Sequence, residues 1–280
     1  MSGDRTGQVI GERFRIDALI GKGAMADVYR ALDQQTAAFV ALKILRTSLD
    51  GDPSARQRFA REAEVQARLR HRNVAALLAT GVTEQAEPYL VMELLRGKTL
   101  RGVIKREGQV DVRRAASYTW QALQGLAAVH EAGVLHRDLK PANIMLEPSP
   151  GPTDRVVLID FGFASVEGSA GLTQQGAVVG SLTYIAPERL RGEAIDQRSD
   201  LYSMGVIFYE LLAGVPPFRA ADDLELVELH LRASPPLLPL ALQPALQGLL
   251  DRALAKHQAD RFATALEMAA ILEMAARDLA

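Results

Sequence analysis

At 280 residues, 48% of them hydrophobic, the chain is long enough to bury a large core, as one large domain or as two lobes sharing a cleft. Its 32 basic and 34 acidic residues leave a net charge of −2, which speaks against nucleic acid or an anionic membrane as a partner. There is no cysteine, so disulfides and thiolate metal sites are excluded, and a reducing cytoplasm is the expected location.

Met1–Gly11 is short, polar and charged, so no secretory leader is expected. Strands come first. Phe14–Ile20, Asp27–Leu32 and Phe39–Leu45 are short, rich in β-favouring residues and separated by turn-like residues. A helix interrupts them: Ser54 with Gln57 three positions on forms a capping-box pattern, and Phe59, Ala63, Ala67 and Arg70 fall at helical spacing. Val74–Val82 and Tyr89–Glu93 read as two further strands that finish a small sheet.

Near Leu94–Gly97 the character changes, and the periodicity beyond is mostly helical. Val112–Ala132 predicts a long helix capped by Asp111 and ended by Gly133. Between Met145 and Asp160, the segment Glu147–Pro152 reads as a tight polar connection between two short strands. Gly168–Pro187 is uncharged but dominated by Gly, Ser, Thr and Gln, so it reads as a loop. Ser199–Leu212 is apolar nearly all round, the mark of a buried helix, and Gly214 with Pro216-Pro217 stops it. Ala233–Leu250 is apolar too, but its four prolines break any spanning helix, and no membrane span is expected in this chain. Leu246–Leu254 and Thr264–Leu272 read as closing helices.

The turn after the first strand, Gly21-Lys22-Gly23-Ala24-Met25-Ala26-Asp27-Val28, can cover phosphates, because amides beside a residue without Cβ approach anionic oxygens closely. A dinucleotide fingerprint opens a helix, whereas a strand follows here. A Walker loop places Ser or Thr after Gly-Lys, and Gly23 stands there instead.

The most informative run is His136-Arg137-Asp138-Leu139-Lys140-Pro141-Ala142-Asn143, with Asp160-Phe161-Gly162 after it. It offers what phosphoryl transfer from a metal-bound nucleotide needs: positioning and charge neutralisation. Asp138 can accept the attacking hydroxyl's proton, Lys140 can sit against the moving phosphoryl group, and Asn143 and Asp160 can give oxygens to magnesium. The run resembles the catalytic loop of protein kinases, and Asp-Phe-Gly resembles their metal-binding motif.

The resemblance covers about Phe14–Leu272 and is strongest to bacterial-type serine/threonine protein kinases. Met25 in the glycine loop, Asp200-Leu201-Tyr202-Ser203-Met204-Gly205 and Ala259–Phe262 carry that leaning. It implies an α+β, bilobal protein-kinase fold in one domain: a β-rich N-lobe over about 12–93 with one regulatory helix, a hinge at about 93–97, and a mainly helical C-lobe over about 98–275. It implies that Lys43, in Val40-Ala41-Leu42-Lys43, holds the α- and β-phosphates of ATP while Glu62 holds Lys43; Glu64 fits that place less well. Ile20, Gly21, Lys22, Gly23, Ala24, Met25 and Ala26 are implied as the phosphate cover, with Ala26 in place of the usual third glycine. Val28, Ala41 and Met145 are implied around the adenine, Met92 behind it, and Glu93 and Leu95 as its backbone partners. The metal ligands are implied to be Asn143 and Asp160, for Mg2+ or Mn2+.

Lys140 favours a serine/threonine kinase, since tyrosine kinases usually lack a lysine there, and Ser181 keeps a hydroxyl that can bridge Asp138 and Lys140. His136 is implied to be structural, packed under the ring of Phe161. Glu188, in Ala186-Pro187-Glu188, is implied to pair with Arg261, and Asp200 to accept backbone amides of the catalytic loop. Arg137 is implied to bind a phosphorylated activation-segment residue, with Thr173 favoured ahead of Ser169 and Ser165. Gln66 departs from the family's apolar residue one turn after Glu62, and Arg72 from the proline after His71. The implied partners are ATP, protein substrates with Ser or Thr acceptors and a transient homodimer for trans-autophosphorylation. The chain then reads as a stand-alone cytoplasmic kinase or as a fragment of a larger one. Three rivals stand beside this reading: a nucleotide-holding scaffold without turnover; a small-molecule kinase, which lacks an activation segment closed by Ala-Pro-Glu; and a non-enzymatic helical adaptor, which leaves the polar motifs unexplained.

Overall fold

The computed structural model describes residues 5–23, 26–46, 57, 60, 63, 64, 66–151, 153–160, 182–239 and 242–277. The chain divides into two compact units, one running to His71 and including Ala75–Arg96, the other formed by Arg72–Val74 with Gly97 onward.

The first unit is built on a six-stranded antiparallel sheet. Its strands are β1 (Val9–Ile10), β2 (Phe14–Lys22), β3 (Ala26–Asp33), β4 (Ala38–Leu45), β5 (Leu77–Val82) and β6 (Pro88–Glu93), in the order β1-β2-β3-β4-β6-β5. Side chains alternate between faces with period two. One face therefore gathers Phe14, Ile16, Tyr29, Ala31, Val40, Leu42, Ile44, Tyr89 and Val91 into a buried core. The tight β3–β4 turn is held by Asp33, whose carboxylate takes Arg13 Nε and Nη2 at 2.7 Å each and the Thr36 hydroxyl at 2.8 Å. The Arg13 guanidinium holds the Asp33 carboxyl well below the usual carboxylate range.

Two sequence expectations change here. Only Leu77–Val82 of the expected strand Val74–Val82 joins the sheet. Val74 instead bridges Leu158 in the second unit, because Asn73 is pinned there by its buried side chain: Nδ2 donates to Val156 O at 2.7 Å and to Gln121 at 3.3 Å. Arg70 lies past the helix it was expected to line, since 66–68 are helical and 69–70 are not. Its guanidinium caps the carbonyls of Ala67 and Leu69 instead.

The second unit carries the short strand β7 (Lys98–Thr99) paired to β8 (Ile144–Glu147), itself paired to β9 (Arg155–Leu158). Its α-helices among the described residues are α1 (Leu100–Glu107), α2 (Val112–Glu131), α3 (Pro187–Arg191), α4 (Gln197–Ala213), α5 (Asp223–Arg232), α6 (Gln243–Ala253) and α7 (Ala265–Arg277). Asp111 caps α2 by accepting the amides of Arg113 and Arg114 at 3.1 Å each. The chain then turns at Gly133 with φ +74°, a conformation glycine adopts at little cost. α2 packs against α4, α7 and β9. Every residue of α4 from Ser199 to Leu212 is buried, so this helix is the centre of the unit's core rather than part of its surface. No helix among the described residues is long and apolar enough to cross a membrane.

Candidate active site

In the first unit the sheet register brings dispersed residues to one face. Gly21 lies opposite Val28, Val28 opposite Lys43, and Ala41 opposite Met92, and directly paired residues share a face. With Ala41 and Lys43 two apart on β4, the face away from the apolar core carries Gly21, Val28, Ala41, Lys43 and Met92 together. Gly23 closes the glycine turn by donating to Ala26 O at 2.9 Å, and Ile20 and Lys22 lie on the exposed rim of β2. Glu93 ends β6, where its Oε1 accepts the Ala76 amide at 3.1 Å and its own amide donates to Ala76 O at 3.0 Å. Leu95 follows it, half-buried.

In the second unit the run 136–143 is a loop that closes in a short 3-10 turn, Pro141–Asn143. Both Asp138 carboxylate oxygens accept from Lys140 Nζ, at 3.0 and 2.8 Å. Asn143 Nδ2 donates to the Asp138 carbonyl at 2.8 Å and to Asp138 Oδ2 at 3.0 Å. Asn143 is buried, while the Asp138 side chain keeps 40% of its exposure, so the carboxylate is held in place and remains reachable. Because the amide group of Asn143 is committed to Asp138, its Oδ1 is the end left to a cation. The backbone links this residue to the other implied ligand: Ile159 N donates to Asn143 O at 3.0 Å, and Asp160 comes next with φ +58°. An amide oxygen and a carboxylate suit magnesium, which takes few protein ligands and completes its shell with phosphate and water. Met145 sits half-buried on β8, paired with Val157.

The loop hangs on Asp200 of α4. Its Oδ2 accepts the His136 amide at 2.8 Å and contacts His130 Nε2 at 2.8 Å; its Oδ1 accepts the Arg137 amide at 3.0 Å. Burial pushes the Asp200 carboxyl up, but the His130 hydrogen bond and the neighbouring imidazole of His136 outweigh it and hold it below the usual range. Burial holds the His136 imidazole below the ordinary histidine value, against the pull of Asp200 and Asp138. Arg137 adopts φ +65°, and Asp138 N donates to His136 O at 2.9 Å. The two facts define a γ-turn of the rare positive-φ kind centred on Arg137. A non-glycine residue in such a region costs about 1–3 kcal/mol and persists where its surroundings over-determine it.

Glu188, on α3, meets Arg261 in a two-pronged pair at 2.8 Å on both prongs, with both side chains essentially inaccessible to water. Arg261 also donates to the carbonyls of Ala255 and Arg198, so the buried charges are fully engaged. The next residue, Arg189, sends its guanidinium to the carbonyl of Arg137.

Ala24, Met25, Glu62, Phe161, Ser165, Ser169, Thr173 and Ser181 lie outside the described residues. Among the others, Gly21, Val28, Ala41, Lys43 and Met92 share one sheet face, and Asp138, Lys140 and Asn143 are hydrogen-bonded to one another. Sequence reasoning missed His130 and Arg189. His130 stands in the last turn of an amphipathic helix, and Arg189 follows a glutamate in a short one; neither position carries a signal of its contact.

A family model described as "Protein kinase domain" matches residues 14–272. The chain is 39% identical to the serine/threonine-protein kinase PknB of Mycobacterium tuberculosis over 94% of its own length and 43% of that protein's. It is 39% identical to the serine/threonine-protein kinase pkn3 of Myxococcus xanthus, over 92% of its own length and 49% of that protein's. It therefore spans less than half the length of these relatives. A crystal structure of the Mycobacterium tuberculosis PknI kinase domain superposes with a TM-score of 0.76 at 28% identity, over 99% of this chain and all of that one. With the hydrogen-bonded set Asp138, Lys140 and Asn143, the Asp200 anchor and the Glu188–Arg261 pair in place, this match across residues 14–272 makes the chain a member of the protein kinase domain family, with the protein-kinase fold.

Proposed function

We propose that the chain is a serine/threonine protein kinase that transfers the γ-phosphoryl group of ATP to Ser or Thr hydroxyls of protein substrates. One observation carries the proposal: the Asp138 carboxylate is fixed by Lys140 and Asn143 yet open to solvent. In this reading Asp138 accepts the proton of the attacking hydroxyl as its oxygen bonds to the γ-phosphorus and the bond to the β–γ bridging oxygen breaks, releasing ADP. Lys140 moves from the Asp138 oxygens toward the phosphoryl oxygens as negative charge spreads over them. Lys43 binds the α- and β-phosphates and Glu62 orients it; Ile20 to Ala26 cover the phosphates. Val28, Ala41, Met92 and Met145 bound the adenine, with the backbone of Glu93 and Leu95 as its hydrogen-bond partners. Magnesium or manganese, held by Asn143 and Asp160, supplies charge neutralisation at the phosphates. Arg137 receives a phosphate carried on Thr173, placed there by a second copy of the chain, and Ser181 bridges Asp138 and Lys140.

The relatives' names support the serine/threonine reading, as does Lys140. An intact lysine, base and metal-ligand set argues against a scaffold without turnover, and the Ala186-Pro187-Glu188 anchor against a small-molecule kinase. The test is incubation of the purified chain with ATP, Mg2+ and a Ser/Thr-containing protein, beside Asp138→Asn. Loss of about 100- to 10,000-fold in kcat, with ATP affinity retained, is expected of the variant. Equal turnover by the two proteins sinks the assignment of Asp138, and no phosphate on either substrate or enzyme sinks the kinase. Mass mapping of the same samples reads the modified residue; absence of phosphate at Thr173 removes that part of the proposal.

A further inference from the structure

Adjacent residues of α3 reach different destinations. Glu188 is locked to Arg261, and Arg189 turns toward the catalytic loop, where Nη1 donates to the carbonyl of Arg137. That carbonyl belongs to the residue at the centre of the γ-turn, with φ +65°. The Arg137 amide is already taken by Asp200 at 3.0 Å. Asp200 thus holds the peptide group entering the strained residue, and Arg189 holds the one leaving it. The leaving peptide is planar, so fixing the Arg137 carbonyl also fixes the Asp138 N–H, which donates to His136 O at 2.9 Å. What remains free for Asp138 is its own side chain, and Lys140 and Asn143 hold that. Burial lowers the affinity of the Arg189 guanidinium for its proton, and the carboxylates of Asp138 and Asp200 oppose the effect.

We propose that Arg189 is a positioning residue for phosphoryl transfer: by gripping the Arg137 carbonyl it sets the peptide plane from which Asp138 projects. The inference rests on the kinase reading above and adds to it a direct tie between the helix that closes the activation segment and the turn that aims the base. It makes Arg189 matter to kcat and not to nucleotide binding.

The experiment is steady-state kinetics on the parent, Arg189→Gln, Arg189→Lys and Arg189→Gly, the last with and without added guanidinium ion, each shown folded by its thermal melt. In Arg189→Gln, kcat falls about 10- to 100-fold while KM for ATP stays within about twofold. Arg189→Lys keeps its fold and charge but loses part of kcat, because an ammonium does not reproduce the planar fork. Guanidinium restores part of kcat to Arg189→Gly and none to the parent, a response that a residue serving stability alone does not give. Parental kcat in every folded variant overturns the inference, as does a change confined to KM for ATP. A parent without phosphotransfer overturns the kinase reading itself, and a different result in the variants alone does not.

Discussion

Asp200 organises the loop that carries Asp138 by accepting two consecutive amides and one imidazole on a single buried carboxylate. Hydrogen bonds to a charged group contribute about 1.5–3 kcal/mol, and the charge here is what favours all three donors at once. Asp200→Asn keeps the shape but replaces one acceptor oxygen with an NH2 that faces donors. Urea denaturation is expected to show a loss of about 1.5–3 kcal/mol. Turnover should fall as well, because the strained turn at Arg137 loses the anchor on its amide. Unchanged stability would mean that water or a shifted side chain satisfies these amides as well as the carboxylate does. The motif residues were legible from the run His136–Asn143 alone. Their anchors were legible in part: Asp200 was expected, whereas His130 and Arg189 were not, since a contact made across 70 or 52 positions leaves no periodic trace.

At the scale of elements, α2 shows how packing overrides local preference. A glycine inside a helix costs about 1 kcal/mol relative to alanine, so Gly125 looks like a site for improvement. A Cβ there would meet the backbone oxygen of Asn73 at 2.6 Å and the Leu158 side chain at 3.0 Å. Asn73 is itself held by Val156 and Gln121 and accepts the Leu158 amide at 2.9 Å, so it has no room to withdraw. Overpacking costs about 1–3 kcal/mol and outweighs the propensity gain. Gly125→Ala is therefore expected to destabilise, read as a lower denaturation midpoint at unchanged slope; a stabilised variant would contradict the close packing of α2 on residue 73. The same glycine was invisible to the sequence pattern, which gave α2 its length and its cap. The short helices α1, α3 and α5 were not anticipated either, because too few turns repeat for a period to stand out.

For the molecule as a whole, buried ionisable groups set the response to pH. His230 is fully buried, contacts the Tyr202 hydroxyl at 2.9 Å, and is pushed down to about 4 by burial and then by Lys256; His136 is likewise lowered by burial. A histidine with a depressed folded pKa binds its proton more readily when unfolded. Its stabilisation is complete above the unfolded value of about 6.5 and is lost as pH falls toward the folded one. Asp200 and Glu188 are also lowered, by partners that outweigh burial, so their contribution is present above about pH 4 and is lost as pH falls through their depressed values. Glu210 works the other way: burial raises it, so its contribution fades as pH rises through its folded value. Stability is thus expected to decline in two stages on acidification, first below about pH 6.5 and again below about pH 4. Denaturation midpoints measured across that range check it. His230→Asn should lessen the upper stage, and an unaltered upper stage in that variant would remove His230 from the account.

The linear chain already carries the order of strands before helices, the long capped helix α2, the buried helix α4 and the run Asp138–Lys140–Asn143. Alternation, 3.6-residue periodicity and short motifs are local properties that a linear string retains. Folding adds that Val74 leaves the sheet, that Gly21, Val28, Ala41, Lys43 and Met92 meet on one face, and that Arg189 grips the turn before Asp138. Those outcomes depend on register and on partners distant in sequence, and a register is fixed only when the strands pair and the core closes.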